Sequence, residues 1–305
     1  MLKKFNIVNN KLKETKDPSG ELMIFSSPSA EDKKYLTDTF ELDEHTLNSA
    51  LDPEELSRLE FEPAHAAVIF KRPKNYSGKD QLLFKVASMG MFLFKDKLVV
   101  IISEDIPLLL GKRFNRVESL KDVFLKIIYN SISHYIEHLK IINLISDEIE
   151  KKISTSLENK YLLNLFSLEK SLVYYSNAIN SNGFVFEKLR NYSSRIGFSE
   201  REGEMLDDII VENSQCLRQA DIYSNILASL MDAKASVVNN NLNILMKTLN
   251  LIAISIMLPT FVVSLFSMNV SIPMQKYPYA FWVVLSLAVG SVIATVWFLW
   301  RKKNW

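Results

Sequence analysis

The 305-residue chain is poor in cysteine and glycine, carries no proline through its middle, and shows no excess of either charge. A single cysteine, Cys216, excludes an intramolecular disulfide and any multi-cysteine zinc site. It fits a domain kept in a reducing compartment and by itself reads as a small buried hydrophobe. With 36 Lys and Arg against 35 Asp and Glu, the formal net charge is +1. No basic excess therefore advertises nucleic-acid binding through phosphate neutralisation, and nucleic acid is not expected as a partner. The opening MLKKFNIVNNKLKETKD starts basic but never develops a continuous apolar run, so it does not read as a signal peptide. The bulk of the chain is expected in the cytosol.

All nine prolines lie at or before Pro107 or at or after Pro259, which frees residues 108 to 258 to be almost entirely helical. Before that block, the apolar runs AAVIF (66 to 70), QLLFKVASMGMFLF (81 to 94) and KLVVIIS (97 to 103) read as strands. They are punctuated by Pro73, Gly78 and Lys95-Asp96-Lys97. A helix-like patch at 42 to 61 sits among them, so residues 1–112 are assigned to a mixed α/β domain. Apolar residues then recur at three- and four-residue steps from Val117 to Ile153 and again from Lys160 to Ile179, predicting two long antiparallel helices within 113–198. Asn182-Gly183 and Ile196-Gly197 read as breaks. After them a single helix over 199–268 begins at Ser199, which Glu202 follows at capping-box spacing, and runs into a membrane.

No charged residue lies between Lys247 and Lys276, and none between Lys276 and Arg301. Each stretch exceeds the ~20 residues that cross a hydrocarbon core of ~30 Å. The best spans are Leu249 to Phe266 and 279–300, joined by a short extracellular loop, 269–278. Arg301, Lys302 and Lys303 open a basic tail, 301–305, and Lys247 precedes the first span, so the positive-inside rule places both ends in the cytosol. Tyr277, Tyr279, Trp282, Trp297, Trp300 and Trp305 cluster where amphipathic rings would meet the interfaces. Alternate steps of four and three from Asp232 reach Ser236, Asn239, Asn243, Met246, Asn250, Ala253, Met257, Thr260, Ser264 and Ser267, nearly all polar, small or Met. Such a stripe suits the inside of a helix bundle around a water-filled lumen, and it equally suits a tight helix–helix interface. The asparagines and Asp232 favour the lumen.

At Ser267-Met268-Asn269, with a short loop, a second span and a basic end behind it, the chain resembles the CorA-like family of Mg²⁺ transporters, which carries Gly-Met-Asn there. Asn243, Met246, Leu249, Met257, Pro259, Thr260 and Phe261 resemble the family's pore helix at corresponding spacing. The resemblance covers the whole architecture and is specific from about Asp232 to Asn269. It implies a funnel-shaped homopentamer in the plasma membrane: an α/β cytosolic domain, long helices and a two-helix transmembrane hairpin. The expected activity is potential-driven uptake of a divalent cation, first Mg²⁺, with Co²⁺, Ni²⁺ or Zn²⁺ as alternatives. No enzymatic activity and no organic cofactor are expected.

Residue by residue, the resemblance places Ser267, Met268 and Asn269 at the selective mouth. Asn239, Asn243, Met246, Leu249, Ala253, Met257, Thr260 and Ser264 fall along the pore, and Asp232 near its cytosolic end. Asp208 lies where the family has a carboxylate that senses cytosolic Mg²⁺ between subunits, with Asp207 an adjacent candidate. The chain departs from the family at Ser267 and in a loop that lacks an acidic residue and contains Lys276. Two other readings compete. His134, Glu137 and His138 match the H-x-x-E-H pattern of some zinc proteases, although a long charged helix offers no substrate cleft. A nontransporting, membrane-anchored scaffold is the other. Asn269-Val270-Ser271 also fits a glycosylation sequon but lies too near the membrane.

Overall fold

The computed structural model describes residues 1–17, 20–76, 82–155, 159–270 and 276–301. Gly78, positions 271–275 of the loop and tail residues 302–305 lie outside the described residues. The chain divides into two compact units, Met1–Met231 and Asp232–Trp305.

The first unit is built on a seven-stranded sheet. Its strands are β1 (Leu2–Val8), β2 (Lys11–Glu14), β3 (Leu22–Ser26), β4 (Arg58–Phe61), β5 (His65–Pro73), β6 (Val86–Phe94) and β7 (Leu98–Ile102), in the order β2-β1-β3-β7-β6-β5-β4. Neighbours are antiparallel except β3 and β7, which run parallel and therefore need the crossover that the intervening elements supply. Both faces of the central strands are covered, which is why β3 and β7 are buried at every position and read as unbroken apolar runs. The side chains still alternate. Met23, Phe25, Val99 and Ile101 face one layer made by α1 (Ala30–Phe40) and α2 (Glu44–Ser49). Leu22, Ile24, Leu98, Val100 and Ile102 face the opposite layer, made by α3 (Leu120–Thr155), α4 (Asn159–Asn191) and the first part of α6 (Glu200–Phe266). A one-turn helix, α5 (Ser193–Ile196), joins α4 to α6.

Two local expectations are corrected. The patch 42 to 61 is not one helix: α2, capped by Asp43 accepting from Thr46 N at 3.0 Å, ends after Ser49. Asp52-Pro53 then interrupts the helix, since proline restricts the residue before it and lacks a donor, and Arg58–Phe61 joins the sheet opposite Ala66–Ile69. Asn182-Gly183 is not a break either, because α4 runs through it to Asn191. A Cβ at Gly183 would stand 3.2 Å from Asn213 Nδ2 on α6, so this glycine permits close helix packing instead of ending a helix. Asn182, buried, accepts from Lys71 N (2.8 Å) and Ser57 Oγ (2.9 Å) and donates to Lys71 O (2.7 Å), docking α4 on the sheet.

Ile196-Gly197 does end a helix. Gly197 has φ +75°, and its N–H donates to Ser193 O at 2.8 Å.

The second unit holds the remainder of α6 and α7 (Ala280–Arg301). Among the described residues, α6 and the segment Ala280–Phe298 are the two helices long and apolar enough to cross a membrane, and their apolar windows are almost wholly unburied within one chain. An apolar, unburied helix of that length requires a nonaqueous neighbour.

Candidate ion pathway and control face

Helix α6 starts at a reciprocal cap. Ser199 N donates to Glu202 Oε2 (2.8 Å) and Glu202 N to Ser199 Oγ (3.3 Å), while Ser119 Oγ at the head of α3 donates to Glu202 Oε1 (2.5 Å). Leu206, Ile209, Cys216, Ala220 and Leu227 then recur at helical spacing into the core, and Asn213 Nδ2 donates to Ile179 O at 3.0 Å. Cys216 is a buried hydrophobe, its thiol pushed up to about 12 by burial and then by Glu212.

The opposite face of this part of α6 carries Asp207 and Asp208, both exposed. Arg190 grips Asp207 with two nitrogens, Nε to Oδ1 at 2.5 Å and Nη2 to Oδ2 at 3.0 Å. The Asp208 carboxylate has no hydrogen bond or ion pair among the described residues. Arg190 was not singled out from the sequence. Its only signal is a basic residue in the last turn of α4 near an acidic pair distant in sequence, and pairing across elements is invisible before the fold is known.

From Asp232 onward, every stripe position is exposed: Asp232, Ser236, Asn239, Asn243, Met246, Asn250, Ala253, Met257, Thr260, Ser264 and Ser267. So is Leu249. The helix continues through Pro259, which cannot donate to the carbonyl of Ser255, and Thr260 Oγ1 donates to Ile256 O at 2.7 Å. Helix α6 stops at Phe266 because Ser267 turns the chain: its N–H (3.2 Å) and its Oγ (3.0 Å) both donate to Ser264 O. Ser267 has no positive φ, so its Cβ is accommodated without the backbone freedom of glycine. Met268 and Asn269 follow, exposed and beyond the helix. Tyr277, Tyr279, Trp282 and Trp297 are exposed near the ends of α7, and the Arg301 guanidinium lies 5.2 Å from the centre of the Trp297 ring.

The H-x-x-E-H residues do not make a metal centre. Glu137 is exposed, whereas His138 is buried and its Nδ1 is hydrogen-bonded to the Tyr175 hydroxyl at 2.6 Å. Burial, then the neighbouring His134, lowers the His138 imidazole to about 4. His134 is likewise lowered, by burial first. Among the described residues, no three His, Cys, Asp or Glu side chains of one chain gather as metal ligands.

The sequence matches the model of the CorA-like Mg²⁺ transporter protein family over residues 23–303. The cobalt/magnesium transport protein CorA of Methanocaldococcus jannaschii is 24% identical over 274 residues, 85% of this chain and 83% of that protein. The complete structure of the CorA magnesium transporter from the same organism superposes with a TM-score of 0.85 at 21% identity, covering 100% of this chain and 98% of the other. The full-length CmaX protein gives 0.75 at 15% identity, covering 100% and 97%. The ZntB cytoplasmic domain of Vibrio parahaemolyticus gives 0.61 at 13%, covering 78% and 98%. At these identities the superpositions speak for the fold, and the family model, matched over nearly the whole length, speaks for descent: the chain belongs to the CorA-like Mg²⁺ transporter family.

Proposed function

We propose that the protein conducts a divalent cation, Mg²⁺ foremost, into the cytosol through a homopentameric pore lined by α6, with both chain termini cytosolic. The observation that carries this reading is the polar, small and Met stripe from Asp232 to Ser267, exposed at every position on a helix otherwise apolar enough to span a membrane. Polar groups at membrane depth cost several kcal/mol unless they face protein or water, and copies of α6 turned inward around an axis satisfy them together. Family membership supports divalent transport, and the Methanocaldococcus relative is described as carrying cobalt and magnesium. Co²⁺, Ni²⁺ and Zn²⁺ are the competing cargoes.

Mg²⁺ gives up water reluctantly, so its mouth need not strip it bare. A ring of Asn269 carboxamide oxygens holds the hydrated ion by outer-sphere hydrogen bonds, weakly enough for release, and Ser267 and Met268 shape that ring. Asn239, Asn243, Ala253, Thr260 and Ser264 continue the wet face. Met246, Leu249 and Met257 form an apolar constriction that closes by dewetting. Asp232 draws cations at the cytosolic end. An inside-negative potential contributes about 2.3 kcal/mol per charge per 100 mV, hence about 4.6 kcal/mol for a divalent ion.

Control is assigned to Asp208, an exposed hard-oxygen ligand of the kind Mg²⁺ prefers. With no three-ligand cluster among the described residues of one chain, the regulatory ion takes carboxylates from neighbouring copies and holds the ring closed. The decisive test is uptake of each divalent ion into liposomes by the purified protein and by Asn269→Ala. Mg²⁺ uptake lost in the variant is the expected result. No divalent uptake at all, or uptake indifferent to the substitution, would favour a membrane-anchored scaffold.

A further inference from the structure

Asp207 and Asp208 are consecutive on the exposed face of α6, yet the structure treats them differently. Asp207 already has a cation: Arg190 reaches it from the last turn of α4 in a two-point, charge-assisted grip at 2.5 and 3.0 Å. A Cβ at Gly203, one turn before Asp207, would stand 4.0 Å from Arg190 Nη1, at ordinary contact distance, so the grip does not depend on glycine there. Asp208, beside it, has no such partner among the described residues. A guanidinium and a divalent cation compete for the same carboxylate, because the guanidinium takes one lone pair on each oxygen and its charge repels a second cation nearby.

We propose that Arg190 is a tethered cation that occupies Asp207 and excludes it from divalent-ion binding, so that each subunit offers one carboxylate to the regulatory ion and the closing concentration of cytosolic Mg²⁺ is set higher than the acidic pair alone would set it. This rests on the reading of Asp208 as a control residue and deepens it. Arg190 acts through Asp207, as a positioning residue. Both side chains of the pair are about half exposed, 46% and 50%, so the grip is reversible and its removal leaves the buried face of α6 untouched.

The test is the half-inhibiting Mg²⁺ concentration, measured on the full-length protein in planar bilayers with Mg²⁺ titrated on the cytosolic side. Arg190→Gln releases Asp207 and should lower that concentration by about two- to fivefold, the range an exposed ion pair can supply. Asp207→Asn in the wild-type background should leave it at or above the wild-type value, since the Arg190 charge is then uncompensated, and the double substitution should restore the wild-type value. A merely structural pair predicts otherwise, with Asp207→Asn and Arg190→Gln shifting inhibition alike, and that pattern would overturn the inference. So would an Arg190→Gln value equal to or above wild type. Asp208→Asn separates the two readings. Inhibition lost there, with Arg190→Gln unchanged, removes only the role of Arg190. Inhibition retained there removes the role of Asp208, while the Arg190→Gln and double variants still decide whether Asp207 is masked. Wild-type flux indifferent to cytosolic Mg²⁺ removes both.

Discussion

His138 shows how a residue's surroundings overrule its motif. Its spacing with His134 and Glu137 suggests metal chemistry, but burial beside Tyr175 keeps the imidazole neutral down to about 4, below the ordinary value of 6.5. The unfolded chain therefore binds a proton that the folded chain refuses. Stability from this group is complete above pH 6.5 and is lost as the pH falls through that value towards 4. The melting temperature of the purified protein should decline over that window, and His138→Gln, which keeps a hydrogen-bonding group without a titratable one, should flatten the decline. An equally steep profile in the variant would remove His138 as its source. The spacing of these three residues was legible in the sequence; which side chain faces solvent was not, because that depends on where α4 and the sheet lie. Ser267 repeats the lesson at the other end of the chain. The exchange of glycine for serine was plain, whereas the turn that admits serine depends on how α6 ends, with Ser267 bonded back to Ser264 O.

Elements were legible where one periodicity ran uninterrupted. The long helices and the Ser199 cap follow from proline's absence and from capping chemistry, both local signals. The hairpin of β1 and β2 also has a local signal, the pair Asn9-Asn10, which turns with φ of 53° and 58° as its two central residues. Asn182-Gly183 misled because a dipeptide that favours turns is here a docking device between α4, β5 and α6. Its energetic weight is testable. Asn182→Ala strips the partners from the buried N–H and C=O of Lys71 and should cost about 2–4 kcal/mol, as two unsatisfied polar groups do, without altering which ions are carried. Chemical denaturation of the variant measures the cost; a loss below about 1 kcal/mol would mean that the sheet and helix are held together by apolar contact alone.

For the whole molecule, two apolar spans within α6 and α7 and its family place it in a membrane, and the proposed conduction makes voltage the driving term. In liposomes clamped with valinomycin, an inside-negative potential of about 100 mV should raise equilibrium Mg²⁺ accumulation on the order of 10³-fold over the zero-potential control, and collapsing the potential should release it. Accumulation unaffected by the clamp would contradict passive conduction. What the sequence withheld at this scale is the sheet order, since the parallel contact of β3 with β7 joins residues 76 positions apart and no local pattern announces it. The two ends of that sheet differ in finish. At one, β2 offers Lys11 and Lys13 to solvent; at the other, β4 lies under α4, with Phe61 against Tyr192 and Ser57 N bonded to Ser181 Oγ. Both ends are thereby poor templates for a further strand. Copies crowded together in a bilayer are steered away from zipping their sheets into fibres, and the contacts left for them to share are those made by helices.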